Sequence, residues 1–141
     1  MKRKLFLSIL IIFFTTSFMP LVGCNNQNST KEQYQLQEQC GKRSNEWFNK
    51  KYGNENEPSL SFQCHYNKRM NKCFILITED SKNKLDNKPY YKKSMFDINE
   101  NKEYGFFFMT DKETNCFLMV SNKGCKDRLE FDSLVKPYME E

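Results

Sequence analysis

The middle of the chain alternates between apolar and polar residues with a period of two. Leu60, Phe62, Cys64 and Tyr66 are separated by single polar residues, which is typical of a strand with one buried face. The run 73–78 is apolar except at its end and suits a central strand. The pattern predicts strands at 60–66, 73–78, 104–110 and 116–120, with 90–96 as a further candidate whose two lysines weigh against it.

A helix is predicted before these strands. Ser29 followed by Glu32 is a capping-box pattern, which indicates a helix N-terminus. Gly53 supplies a left-handed stop, so we expect this helix at about residues 30–52. Its predicted apolar face comprises Leu36, Cys40, Trp47, Phe48 and Tyr52.

A second helix is predicted after the strands. Asp127 with Glu130 resembles another N-terminal cap, and Pro137 limits the helix at its other end. The predicted order is an N-terminal helix, a four-stranded antiparallel meander and a C-terminal helix. This order is typical of an α+β domain in which both helices cover one face of the sheet.

The N-terminus has the features of an exported lipoprotein. Positive residues at 2–4 precede an apolar run at 5–14, which is shorter than the roughly 20 residues of a membrane-spanning helix. The motif Leu-Val-Gly-Cys at 21–24 then resembles a bacterial lipobox. The resemblance implies cleavage before Cys24 and a diacylglycerol thioether on its side chain, so the protein would stay on a membrane without spanning it.

This interpretation divides the chain into three parts. Residues 1–23 are a signal peptide, 24–31 are a polar flexible tether, and 32–141 form a single α+β domain that is large enough for one core. Removal of the signal lowers the net charge from +4 to +1, because all of its charges are the three cations at 2–4. A nearly balanced charge does not favour nucleic acid as a partner.

Export also sets the state of the cysteines. Outside the cytoplasm, disulfides persist among Cys40, Cys64, Cys73, Cys116 and Cys125. Two bonds among five cysteines allow 15 arrangements, and spacing alone does not choose among them. We prefer Cys40 with Cys73 and Cys116 with Cys125, which would contribute about 3.8 and about 2.7 kcal/mol on the chain-entropy model. The competing pair, Cys64 with Cys73, requires the two residues to lie nearly opposite each other across a hairpin.

The polar residues give little indication of catalysis. His65 is the only histidine, so it has too few companions for a zinc site. Cys64 and His65 are neighbours on a predicted strand and would point to opposite faces, which argues against a nucleophile–base pair. The segment 97–103 has alternating oxygen ligands but lacks the glycine and closing acid of a calcium loop. We therefore expect no catalytic residue, metal or cofactor.

The aromatic residues are more informative about function than the polar residues. A strand cannot direct all three phenylalanines at 106–108 inward, so Phe107 must point opposite to its neighbours. Either the second helix covers Phe107, which we prefer, or an aromatic patch remains for a partner. Trp47 and Phe48 are expected in the core.

Several short motifs carry a family resemblance. They are Gln39-Cys-Gly-Lys-Arg43 with Trp47-Phe48 and Tyr52-Gly53, His65-Tyr-Asn-Lys68 with Asn71-Lys-Cys-Phe74, and Leu134-Val-Lys-Pro-Tyr138. Together they resemble small bacterial lipoproteins and secreted proteins of uncharacterised function, over most of residues 36–140. The resemblance implies one exported domain, and it implies no substrate.

The sequence leads to one main functional hypothesis and two alternatives. The main hypothesis is a non-enzymatic, disulfide-stabilised lipoprotein of the cell envelope, anchored through Cys24, whose domain binds an envelope protein or another surface partner. Asn25 after the cysteine favours the outer membrane if the host is Gram-negative. One alternative is an inhibitor that blocks an envelope hydrolase through a loop at 54–59 or 81–89. The other is a redox protein that uses Cys64.

Overall fold

A computed structural model describes residues 26–53, 59–83 and 87–140. The predicted signal peptide at 1–23 and the predicted acylation site Cys24 lie outside these residues. In the part of the chain that the structure covers, no helix is both long and apolar enough to cross a membrane.

The chain forms two helices around one six-stranded antiparallel sheet. The strands are arranged in the order β1-β2-β3-β4-β5-β6, so each strand pairs with the next one along the chain. The elements are α1 (Asn26–Tyr52), β1 (Leu60–Asn67), β2 (Lys72–Lys82), β3 (Pro89–Asp97), β4 (Lys102–Met109), β5 (Thr114–Leu118), β6 (Lys123–Gly124) and α2 (Arg128–Met139).

The α+β class is confirmed, but the prediction of a four-stranded meander is wrong in its count. The candidate at 90–96 is a full strand, β3. Its two lysines do not prevent strand formation, because they lie on opposite faces of the sheet. Lys93 is buried and pairs with Asp132 of α2, whereas Lys92 lies on the other face. The two-residue strand β6 was too short to give a periodic signal, and β2 extends to Lys82, into the segment predicted as a loop.

The helices lie on opposite faces of the sheet, so the prediction that both cover one face is wrong. Strand β2 shows why: Cys73, Ile75 and Ile77 pack in the cluster under α1, while Phe74 and Leu76 pack in the cluster under α2. A continuous apolar run places large side chains on both faces of a strand, and each face then needs its own cover.

Helix α1 begins earlier than predicted and ends where predicted. It starts at Asn26, so Ser29 lies within the helix and is not its cap, and the helix extends into the segment assigned to a flexible tether. At the other end, Gly53 adopts a positive φ of 74°, and its N–H donates to the carbonyl of Asn49 at 2.8 Å. Gly53 therefore stops the helix as expected.

Helix α2 confirms the predicted cap and corrects the predicted end. The Asp127 side chain accepts a hydrogen bond from the Glu130 N–H at 2.9 Å. Pro137 lies inside the helix, which continues to Met139. Pro137 lacks the N–H that would bond to the Ser133 carbonyl, but Ser133 is exposed to water. Beyond the proline, the Glu140 N–H still donates to the Lys136 carbonyl at 3.1 Å.

Close packing between β4 and β5 depends on Gly105. A Cβ atom at this position would lie 2.4 Å from Cδ1 of Leu118 and 3.2 Å from the Phe117 carbonyl oxygen.

The pairing register of β3 and β4 shifts between Met95 and Phe96. As a result, Tyr104 joins the cluster under α2.

Two disulfides connect the elements. Cys40 of α1 is bonded to Cys73 of β2, with a Cα–Cα distance of 5.5 Å. Cys116 is bonded to Cys125, with a Cα–Cα distance of 5.2 Å. These are the pairs preferred from the sequence, and Cys64 is a free thiol. The competing pair is disfavoured by the register, because Cys73 lies opposite Tyr66 and is only diagonal to Cys64.

Candidate functional site

The pleat of β4 separates its three phenylalanines. Phe107 is fully buried, and its ring centroid lies 6.0 Å from that of Phe131 on α2. The expectation that the second helix covers Phe107 is therefore confirmed. Phe106 and Phe108 point to the opposite face, where both are half-buried.

Helix α1 covers only part of that opposite face. It packs on β1 and β2 and touches β3 through Trp47, whose ring centroid lies 5.1 Å from that of Phe96. Over the rest of β3 and over β4 and β5, no element of the described ranges lies on the sheet. We call this surface the open face, and its groove is lined by Glu79, Tyr90, Lys92, Phe106, Phe108 and Asn115.

The sheet register aligns four of these residues in one row. Glu79 on β2 lies opposite Lys92 on β3, which lies opposite Phe108 on β4, which lies opposite Asn115 on β5. Because paired residues on neighbouring strands share a face, an acid, a cation, a ring and an amide follow one another across the sheet. The groove has a volume of about 600 Å³.

Aromatic rings form the centre of the open face. The ring centroids of Tyr90 and Phe108 are 6.0 Å apart with an interplanar angle of 37°. The Tyr90 hydroxyl donates a hydrogen bond to Oε1 of Glu79. This bond fixes the tyrosine ring and leaves the second carboxylate oxygen of Glu79 as a further acceptor.

A second groove continues from the same rings. It shares Tyr90 and Phe108 with the first, has a volume of about 400 Å³, and runs to the ends of the β2–β3 and β4–β5 hairpins. Lys88 and Asp111 line it and approach each other to 3.9 Å. The open face is thus an elongated depression with paired charges along its length.

The C-terminal turn of α1 borders the open face. The Lys51 ammonium lies 3.8 Å from the ring centroid of Phe96 and 4.5 Å from that of Trp47, a cation–π arrangement. Partial burial among these rings lowers the pKa of Lys51. Burial, together with the nearby carboxylates of Glu79 and Glu103, raises the pKa of Tyr52.

A buried hydroxyl lies on the same side of the sheet as the open face, outside the lining of both grooves. Ser94 is 3% exposed and pairs with Ile77 on one side and Phe106 on the other, so its side chain is on the same face as Phe106. Its Oγ atom has no hydrogen-bond partner among the described residues. Buried polar atoms without a partner are uncommon and mark places where a water or a ligand group can bind.

The most highly charged cluster lies elsewhere, at the end of β3. The Lys72 Nζ atom donates to Asp97 Oδ2 at 2.6 Å, Glu100 Oε1 at 2.7 Å and the Tyr104 hydroxyl at 2.6 Å. Burial by itself would lower the pKa of Lys72, but these hydrogen bonds outweigh it and raise the pKa above its ordinary value.

The same cluster engages both oxygens of Asp97. Oδ1 of this fully buried carboxylate accepts from the Asn99 N–H at 2.9 Å, and Oδ2 accepts from Lys72. We therefore interpret the cluster as an internal crosslink of the fold, not as a reactive site. Among the residues covered by the structure, no group of three or more His, Cys, Asp or Glu side chains is arranged to hold a metal ion.

The remaining candidates from the sequence are dispersed. Cys64 packs in the cluster under α1, whereas its neighbour His65 pairs with Phe74, which faces α2. The two side chains therefore do not form a pair. Of the loops named for an inhibitor, 54–58 and 84–86 lie outside the described residues, and residues 81 and 82 belong to β2.

Sequence reasoning identified the phenylalanines but missed their partners on the open face. Glu79, Tyr90, Lys92 and Asn115 lie on three other strands, and only the sheet register brings them together. One signal was present: tyrosine and lysine pairs at 90–93 place a tyrosine and a lysine on each face of a strand.

A scan against protein-family models, a search of curated proteins and a search of solved structures each found no match.

Proposed function

We propose that this protein is a lipid-anchored, non-enzymatic binding protein of the bacterial cell envelope, and that the open face is its binding surface. The observation that carries the proposal is the uncovered aromatic row of β3 and β4. Elsewhere the sheet is covered by α1 on one face and α2 on the other, so the open face is the part of the sheet with aromatic rings left accessible.

Leaving these rings accessible has a cost. Burial of apolar surface contributes about 25 cal/mol per Å², so the half-buried rings of Tyr90, Phe106 and Phe108 forgo part of that gain. Contiguous apolar patches on small monomers are often functional. A ligand that covers the rings would recover the missing burial.

The geometry supports binding in preference to catalysis. On the open face, the Glu79 carboxylate accepts a hydrogen bond from Tyr90 and lies opposite Lys92, and neither a histidine nor a cysteine lines the groove beside it. The free thiol, Cys64, packs against the helix-covered part of the sheet and away from the groove. Neither group is placed as a nucleophile beside a general base.

The anchor is the second part of the proposal. Cys24 would carry the lipid, and the membrane would be the first partner of the protein. In the sequence, Cys24 lies two positions before Asn26, the first described residue of α1. The lipobox resemblance and the disulfides are consistent with a location in the cell envelope, at the outer membrane if the host is Gram-negative.

Mass spectrometry of the intact native protein tests the anchor. We expect the mass of residues 24–141 with a diacylglyceryl group and with four hydrogens lost in two disulfides. The control is Cys24→Ser, which we expect to lack the lipid and to leave the membrane fraction. An unprocessed wild-type protein that begins at Met1 and resides in the cytosol would contradict the proposal.

Site-specific photocrosslinking in living cells tests the binding role. A photoreactive amino acid at position 108 should yield a discrete adduct with an envelope component. The matched control is position 34, because Tyr34 is an aromatic residue that is 74% exposed on α1. The absence of an adduct at position 108, or equal adducts at both positions, would refute the open face as the binding surface.

A further inference from the structure

We propose that the open face binds a neutral oligosaccharide. This inference rests on the proposed function and names the class of ligand for the same surface. A pyranose ring has an apolar face of C–H groups and a rim of hydroxyls. The open face has the complementary arrangement, with aromatic rings in the centre and side chains that bond hydroxyls around them.

The rings provide the apolar contact. Phe106 and Phe108 lie two residues apart on one face of β4, so they are spaced by about 7 Å along the strand. Tyr90 extends this row on β3, with its centroid 6.0 Å from that of Phe108. Flat, half-buried rings match the flat C–H faces of successive sugar units, whereas an alkyl chain needs no such planarity.

The polar groups point to a neutral ligand. Glu79 and Lys92 are directly opposite each other, so their charges cancel at the centre of the row. An anionic polymer would meet the Glu79 carboxylate, and a lipid tail would bury two charged groups at high cost. Hydroxyls, by contrast, donate to a carboxylate and accept from an ammonium or an amide, which Glu79, Lys92 and Asn115 supply.

The dimensions favour a short chain of sugars over a protein surface or a single sugar. The main groove of about 600 Å³ is within the range of 300–1,000 Å³ that is usual for small-ligand sites. A stable protein interface covers about 800 Å² on each partner, far more than these six side chains offer. The second groove of about 400 Å³ shares Tyr90 and Phe108 with the first, so the site is elongated.

A titration followed by nuclear magnetic resonance tests the inference. The protein is the full mature chain, residues 24–141, with Cys24→Ser so that it stays soluble. The probes are three neutral hexasaccharides: chitohexaose, cellohexaose and maltohexaose. We expect at least one of them to shift the backbone amide signals of β3, β4 and β5 around the groove, and to leave those of α2 unchanged.

Variants assign the binding to the rings. Phe108→Ala should weaken the binding of that hexasaccharide by at least about tenfold, as the loss of a central aromatic contact does. Phe108→Leu keeps most of the volume and removes the ring, so it should weaken binding in the same direction even if the alanine variant folds poorly. Tyr34→Ala, at an exposed ring outside the groove, should bind within twofold of the wild type.

Three outcomes would overturn the inference. The first is that no neutral hexasaccharide shifts the signals of the groove. The second is that Phe108→Leu binds as tightly as the wild type. The third is that the same signals shift with protein concentration alone, which would identify a second copy of the chain as the occupant. These outcomes would refute the oligosaccharide as the ligand. They would not decide whether Cys24 is acylated or whether position 108 contacts a partner, because separate experiments test those two points.

Discussion

At the scale of single residues, Asp97 shows how one polar side chain organises the end of a hairpin. Its carboxylate is fully buried, and it accepts hydrogen bonds from Lys72 on β2 and from the backbone of the β3–β4 turn. A buried charge is tolerated only when it is paired and hydrogen-bonded. Asp97 meets both conditions, and the cluster therefore fixes the turn to the sheet.

Asp97→Asn should destabilise the domain strongly. The substitution removes the charge that balances Lys72 in a largely buried site, and disruption of a buried pair costs about 3–5 kcal/mol. The control is Glu100→Gln, which affects a half-exposed partner of the same lysine and should cost about 1 kcal/mol or less. Urea denaturation monitored by circular dichroism would measure both. Similar losses for the two variants would contradict the interpretation.

The pH dependence of this contribution follows from the raised pKa of Lys72. A lysine whose pKa is raised on folding stabilises the fold fully below its unfolded value of 10.5, and that stabilisation is lost as the pH rises through the folded value. The difference in the free energy of unfolding between wild type and Lys72→Met should therefore be constant from pH 7 to about 10 and should decrease as the pH rises above 10.5. A difference that stays constant above that pH would show that the pKa is not raised.

At the scale of elements, β4 combines a structural face and a candidate binding face. Phe107 contacts Phe131 under α2, and Phe106 and Phe108 lie on the open face. The two roles are possible because consecutive side chains of a strand point in opposite directions. Three identical residues in a row thus have different surroundings and different expected effects when substituted.

Phe107→Ala and Phe108→Ala form a matched pair that measures this difference. Phe107→Ala should lower the free energy of unfolding by about 3–5 kcal/mol, because it leaves a cavity in the core. Phe108→Ala should lower it by only about 1 kcal/mol, as is usual away from the core. Chemical denaturation of the two variants would give the values. Equal destabilisation would mean that Phe108 is also covered, which would remove the open face.

At the scale of the whole molecule, the sheet separates two apolar layers, one under each helix, and each layer has to be stabilised by its own contacts. The layer under α1 contains the buried disulfide between Cys40 and Cys73, while the bond between Cys116 and Cys125 lies at the margin of the layer under α2. The first bond closes a loop with a sequence separation of 33, and the second closes one of 9. The longer loop restricts the unfolded chain more.

Removal of the two disulfides should therefore have unequal effects. Replacing both Cys40 and Cys73 with alanine should cost about 3.8 kcal/mol, and replacing both Cys116 and Cys125 should cost about 2.7 kcal/mol. Double substitutions avoid new thiols beside Cys64. Thermal denaturation without reductant would rank the variants. A larger loss for the second pair would indicate that the α1 layer is held mainly by apolar packing.

The sequence by itself determined the local features of this protein. Asp127 and Gly53 each act on the backbone within a few residues, so the start of α2 and the end of α1 were predictable. The alternation in β1 and the separation of Phe107 from its neighbours follow from the pleat of a single strand. The preferred cysteine pairs agree with the structure, but the spacing left 15 arrangements open, and the main competitor is disfavoured by a hairpin register that only the structure shows.

Only the tertiary structure decided which face each helix covers and what remains uncovered. Strand β2 is apolar on both faces, so its pattern is equally compatible with helices on one side or on both. Glu79, Lys92 and Asn115 come together only through the register of four strands. Periodicity records the direction of a side chain relative to its own strand. The open face depends on distances between strands that are far apart in the chain.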